Sequence, residues 1–267
     1  MSSLGAPAAS LRQRTNIVVR RLPDATAGLD EGKLSFLRMV GHELRTPLNS
    51  IIGFSDLIGR EIFGPLGQPQ YKEHAEIIRQ SGLKLLRLVD QVMEIARLDS
   101  GAAHIDPRPE PVEPVISAAV KLVASDAEAR NVRIVVRVAP AIPLVLADSR
   151  ALTTILENLL QNALVASPQA GEVRVDAEPD GEDVLFRICD QGQGIEPHQI
   201  PRLMQPFEQG EDALTRHSQG AGLGLAIVRL LCTAMEGRVR LRSRPGEGLT
   251  ALVQLPAAPE ERSPPAA

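Results

Sequence analysis

A seven-residue apolar repeat limits this chain more than any other feature. Leu37, Leu44, Ile51 and Ile58 recur at intervals of seven, with Val40, Pro47 and Phe54 three positions on, which is the a/d seam of a packed helix reading from Gly28. After the loop signal "FGPLGQPQ" a second run pairs Ile78, Leu85 and Val92 with Ser81, Leu88 and Ile95 at the same offset. Two antiparallel helices are therefore predicted. A hairpin of two such helices buries little surface alone, so it is expected to pair with a second copy as a dimeric four-helix bundle.

Counted from Leu37 as position a, His42 falls at f, furthest from the seam, and is predicted to face water. An ordinary surface histidine is the plain alternative. Its neighbours favour chemistry: Thr46 lies one turn on along the same face, and Glu43 can accept a proton or set the imidazole tautomer. Pro47 lacks the N–H that would bond the Glu43 carbonyl, so a bend is expected just beyond the histidine.

The 267 residues, 43% hydrophobic and 23% charged, hold enough apolar material for one or two buried cores, and two domains are the expectation. A net charge of -4 argues against nucleic acid or anionic lipid as the main partner. Cys189 and Cys232 lack the spacing of a metal site or a disulfide framework, which fits a reduced, cytoplasmic setting. No run of about 18 apolar residues and no signal-peptide core occurs, so the chain is expected not to span a membrane. His74, His104, His198 and His217 carry no motif and read as surface residues. The boundaries expected are a loose segment 1–27, the hairpin 28–103, a Pro-rich linker 104–114 with the hinge, a second domain 115–256 and a loose tail 257–267.

In the second domain the periodicity mixes helix and strand, predicting an α+β fold with helices on one face of a sheet. Asp148 is the predicted N-cap of a helix carrying Asn158 and Asn162 one turn apart. Such amides are ordinarily a solvated face, although oxygen ligands also suit Mg2+, which keeps waters and bridges phosphates. "DQGQGI" sets Gly192 and Gly194 behind Asp190 at a strand end, where glycine permits close approach to a ligand. Gly220, Gly222 and Gly224 precede an apolar helix whose free amides suit phosphate oxygens. Each motif alone is weak.

"FLRMVGHELRTPLNSIIGFSDLI" resembles the phospho-accepting box of two-component sensor histidine kinases, and the second helix resembles a PleC/DivJ-like subgroup of them. The resemblance implies that His42 takes the γ-phosphoryl group of ATP and passes it to an aspartate on a response-regulator receiver domain. It gives Glu43 the proton-accepting role and Thr46 the positioning of water in dephosphorylation. The ordered set of NxxxN, DxGxG, "PFEQ" and GxGLGL resembles the ATP-binding domain of the histidine kinase, gyrase and Hsp90 superfamily, an α/β sandwich. By that resemblance Asn162 binds Mg2+, Asn158 assists at the phosphates, and Asp190 bonds the adenine amino group. Gly192, Gly194, Gly220, Gly222 and Gly224 line the nucleotide. Residues 206–220, including Phe207 and Arg216, form a lid, with Arg216 near the phosphates.

One departure stands out. Where the family carries a basic residue and then an aromatic after the second asparagine, this chain has Val165 and Ala166, and Arg216, Arg150 and Lys84 are candidates for the missing charge. A soluble dimeric kinase is the first expectation. A histidine phosphotransferase or adaptor with a degenerate ATP domain is the alternative, and an ATPase-fold chaperone or DNA-repair protein a third.

Overall fold

The structure, a computed structural model, describes residues 27–206, 208 and 222–259, with side chains described from residue 39 onward. It is α+β: a helical hairpin followed by a mixed sheet with helices on one face. Helix α1 spans Ala27–Gly59 and continues through Pro47; α2 spans Pro69–Asp99, opening with Pro69, where a missing N–H costs nothing.

The hairpin closes on a different stripe from the predicted seam. On α1 the buried positions are Gly41, Leu48 and Ser55; on α2 they are Ala75, Gly82, Val89 and Met93. A Cβ at Gly41 would lie 2.8 Å from the Met93 sulfur, so glycine lets the helices close beside His42. Arg45 spans the two helices, its Nε and Nη2 donating to Asp90 Oδ1 at 2.8 and 2.6 Å. The Ser55 hydroxyl is satisfied within its own helix by the Ile52 carbonyl at 2.9 Å. Leu44, Ile51, Phe54, Ile58, Ile78 and Leu85 stay exposed, Phe54 at 67%. A helix in a four-helix arrangement has two neighbours and needs two stripes; the stripe one position beyond the d row faces α2, and the a/d row remains open.

Beyond α2 come β1 (Arg108–Glu110), α3 (Val112–Leu122), α4 (Ala124–Arg130), β2 (Arg133–Val138), β3 (Val145–Ala147) and α5 (Ser149–Ala166). Strands β4 (Glu172–Asp180) and β5 (Asp183–Cys189) follow, then a 3-10 turn, α6 (Ile200–Leu203), α7 (Gly224–Ala234), β6 (Arg238–Ser243) and β7 (Leu249–Pro256). Strand β1 and the first turn of α3 fall within the stretch read as linker, because β1 pairs antiparallel with β3. Helices α3 and α4 meet at Val123, which ends one and opens the other.

The main sheet runs β2-β4-β5-β7-β6, with β2 and β4 parallel and the other pairs antiparallel. Strand β5 alternates buried and half-buried residues, sending Val184, Phe186 and Ile188 to the core under α3, α5 and α7. The opposite face carries charge pairs such as Arg187 to Glu178 at 2.6 Å. Ile95 and Leu98, at the end of α2, pack against this same core.

Candidate functional site

His42 stands exposed on α1, where the position-f reading put it. The Thr46 hydroxyl donates to the His42 carbonyl oxygen at 3.3 Å, so the two residues are tied through the backbone. Glu43 is exposed too, and among the described residues no hydrogen bond joins it to the imidazole. Below them the Gly41–Met93 contact and the Arg45–Asp90 pair hold this turn of α1 on α2.

The second cluster is built by α5, the turn after β5, and the start of α7. Asp148 caps α5, its Oδ1 accepting from the amides of Arg150 and Ala151, both at 3.0 Å. With the helix anchored, Leu152, Ile155, Leu156, Leu159 and Ala163 face the core, and Asn158 and Asn162 lie on the other side. The Asn158 amide nitrogen donates to the Thr154 carbonyl at 2.8 Å, and its oxygen lies 2.8 Å from where a Cβ of Gly224 would stand. This oxygen therefore adjoins the first residue of α7. Asn162 is exposed, one turn nearer the other end of the cluster.

That other end is Asp190, only 9% exposed. Its Oδ1 accepts from the amides of Gly192 at 2.8 Å and Leu249 at 3.1 Å. Burial pushes its carboxyl above the usual carboxylate range, and the two amides act against that shift. Both of these amides bond Oδ1, and among the described residues none donates to Oδ2. Gly194 has φ +68, and a Cβ there would overlap the Arg244 carbonyl, so the turn admits only glycine. The Ser243 hydroxyl accepts from the Ile195 amide at 2.9 Å and donates to the Gly248 carbonyl at 2.6 Å, tying this turn to the β6–β7 hairpin.

The residues from the predicted site divide as follows. The structure brings Asn158 against Gly224, and Asp190 together with Gly192 and, through Gly248, with Gly194; Asn162 lies exposed on α5, Gly222 lies beside Glu208, and Phe207, Arg216 and Gly220 lie outside the described residues. Gly222, at φ +72, abuts the Glu208 carbonyl, so the chain on either side of 209–221 meets at one place. Arg202 Nε holds the Glu208 carboxylate at 2.5 Å. Sequence reasoning missed Leu249 and Ser243; both belong to strands distant in sequence, and the nearby glycines Gly246 and Gly248 were the sole local signal.

Val165 and Ala166 end α5 exposed, Val165 at 36%. The Ala166 carbonyl oxygen and Cβ lie 2.7 and 3.0 Å from the point where Gly192 would carry a side chain. The position therefore flanks the Asp190 turn. Of the described aromatic side chains, Phe54, Phe63 and Tyr71 lie on the hairpin and Phe186 is buried in the core, so none stands beside Ala166.

Comparison with known proteins bears on both clusters. The family model described as "His Kinase A (phospho-acceptor) domain" matches residues 33–101, and that described as "Histidine kinase-, DNA gyrase B-, and HSP90-like ATPase" matches residues 147–259. The "Non-motile and phage-resistance protein" of Caulobacter vibrioides is 38% identical over 231 residues, 85% of this chain and 27% of that protein. The "Histidine protein kinase DivJ" of the same organism is 36% identical, covering 92% of this chain and 40% of its own length. A solved structure of full-length ShkA in complex with AMPPNP superposes with a TM-score of 0.71 at 32% identity, over 84% of this chain and 46% of that one. The chain thus spans less than half the length of these relatives.

Proposed function

Because the chain belongs to the two-component sensor histidine kinases, in their PleC/DivJ-like group, we propose that it phosphorylates His42 from Mg-ATP and passes the phosphoryl group to a receiver aspartate. The observation that carries this reading is the buried Asp190 carboxylate, one oxygen held by two amides and the other left for a base amino group. At the opposite end of the cluster the Asn158 oxygen adjoins the first turn of α7. Helix α7 runs 11 residues, long enough for its free amides and positive end to receive phosphate oxygens.

The chemistry balances with groups already present. One imidazole nitrogen attacks the γ-phosphorus, its bond to the bridging oxygen breaks, and ADP leaves with that electron pair. Glu43 takes the proton from the other ring nitrogen. In the second half, the receiver carboxylate attacks the phosphorus, the phosphorus–nitrogen bond breaks, and Glu43 returns the proton. Thr46, one turn away, orients water when the same surface dephosphorylates its regulator. Positioning and charge neutralisation dominate such a transfer.

The residues fit a loosely held divalent cation. No cluster of three or more His, Cys, Asp or Glu able to hold a metal occurs among the described residues, so protein ligation would rest on an amide oxygen such as that of Asn162. That is how Mg2+ binds beside phosphates, with water completing its shell, and it supplies charge neutralisation there. The open a/d row is covered in this reading by a second copy, giving the four-helix bundle. No described helix is long and apolar enough to cross a membrane, and a cytoplasmic setting is part of the proposal.

Radiolabelled ATP tests the kinase reading. The expected product is an acid-labile, base-stable label, absent from His42→Ala; full labelling of that variant removes the proposal. The second reading, a phosphotransferase with a degenerate ATP domain, is favoured by Val165 and Ala166, since no described aromatic side chain adjoins Ala166. It requires no ATP binding by calorimetry together with rapid labelling of His42 from a phosphorylated receiver.

A further inference from the structure

The stretch "RVRLRSR", residues 238–244, sets arginine at every second position with no acid among them. Strand β6 holds the first three of these arginines, and it is a terminal strand of the main sheet. Because side chains alternate across a strand, Leu241 turns to the core at 9% exposure while Arg238, Arg240 and Arg242 stand exposed on the open face. They recur about every 6.7 Å along it.

Elsewhere on this face the arginines have acidic neighbours. Arg133 pairs with Glu172 at 2.6 Å, Arg174 with Asp176 at 3.0 Å, and Arg187 with Glu178 at 2.6 Å. On β6 itself Arg238 reaches Asp183 at 3.2 Å. By contrast, no carboxylate among the described residues pairs with Arg240, Arg242 or Arg244. Their cross-strand neighbours on β7 are uncharged, Leu252 opposite Arg240 and Thr250 opposite Arg242. A chain of net charge -4 thus keeps one row of positive charge uncompensated.

The backbone beside this row is open as well. In an antiparallel ladder every second residue directs its N–H and C=O away from the neighbour, and β6 has β7 on one side only. A second copy of β6 is the wrong occupant for that edge, because pairing the strand with itself sets arginine against arginine. A strand with carboxylates at alternate positions fits it. Each carboxylate meets a planar guanidinium fork able to hold it through two hydrogen bonds, at the spacing the strand already sets. The row that keeps two copies apart selects its opposite.

We propose that β6 is a docking edge for an acidic extended segment of a partner protein, which adds to the sheet as a strand and sets its carboxylates on Arg240 and Arg242. A capped synthetic peptide of alternating glutamate and threonine is the probe. It is expected to bind the wild-type chain, to slow exchange of the β6 amides that point away from β7, and to bind Arg240→Gln with Arg242→Gln at least about tenfold more weakly. The charge-reversed pair, Arg240→Glu with Arg242→Glu, is expected to release this peptide and take up its lysine–threonine counterpart. Nucleotide affinity stays at the wild-type value in both variants, since α5 and α7 lie on the other face of the sheet. If the charge-reversed pair does not fold, the glutamine pair carries the test.

A wild-type chain that does not bind the peptide overturns the proposal, as does equal binding by the wild type and the glutamine pair. Equal affinity for a peptide of the same composition with its glutamates in one block overturns it too, because that is charge attraction without an added strand. Tighter binding to phosphatidylserine vesicles, lost in the same variants, makes the partner a lipid surface and the proposal wrong.

Discussion

At the scale of single residues the Asp190 carboxyl is the most informative group, because its burial, its two amide bonds and its raised pKa all bear on one oxygen pair. A carboxyl whose folded pKa lies above its unfolded value is destabilising once ionised. Its contribution to stability is greatest below the unfolded value of 3.8 and is lost as pH rises through the raised folded value. Asp190→Asn keeps an oxygen for the Gly192 and Leu249 amides and removes the charge. The difference in melting temperature between this variant and wild type is expected to grow in the variant's favour as pH rises from about 4, then to level off above the raised pKa. Nucleotide affinity should move the other way, falling at least about tenfold, since a charge-assisted acceptor is lost. A melting difference that does not change with pH would show that the carboxyl is unperturbed. His42 was legible at this scale, because position f in a heptad is enough to say that a side chain faces water.

At the scale of elements, α5 joins the core to the site along one helix. Its apolar stripe followed from the 3.6-residue period and its cap from the residue type of Asp148, and the structure places both so. What the period could not show is that Ala166 lies against Gly192, a contact made by a turn 26 positions further along the chain. That contact gives the variant Val165→Lys with Ala166→Tyr its meaning. Lysine at 165 adds a charge-assisted contact to a phosphate oxygen and tyrosine an aromatic surface against the base, each about 1 kcal/mol or roughly fivefold in affinity. Calorimetry should show ATP binding tightening by the product of the two. Transfer from a phosphorylated receiver to His42 should be unchanged, because it uses the hairpin alone. A folded double variant with wild-type affinity would mean that the end of α5 does not face the nucleotide.

At the scale of the whole molecule, the open row from Leu44 to Ile58 with Ile78 and Leu85 is more apolar surface than a solvated helix pair ordinarily displays. Placing aspartate at Ile51 and Phe54, both exposed in the single chain, leaves the hairpin's internal stripe of Gly41, Leu48 and Ser55 untouched. At roughly 2 kcal/mol per site and four sites in a symmetric pair, the dissociation constant should rise by more than about a thousandfold. Sedimentation of the variant as a folded monomer is the expected result, and an unchanged dimer would place the interface elsewhere. By itself the sequence determined the two helices, the exposure of His42, the mixed second domain and the short motifs of the site, all of which depend on local periodicity, capping and glycine geometry. Tertiary structure alone decided which stripe closes the hairpin, because one heptad pattern serves two neighbouring faces and the small residues that select between them, Gly41 against Met93 among them, act only when the helices meet. It decided, too, that Leu249 locks Asp190 and that Ser243 ties the turn to a distant hairpin. Those are contacts between residues far apart in the chain, and no period within a single helix or strand encodes them.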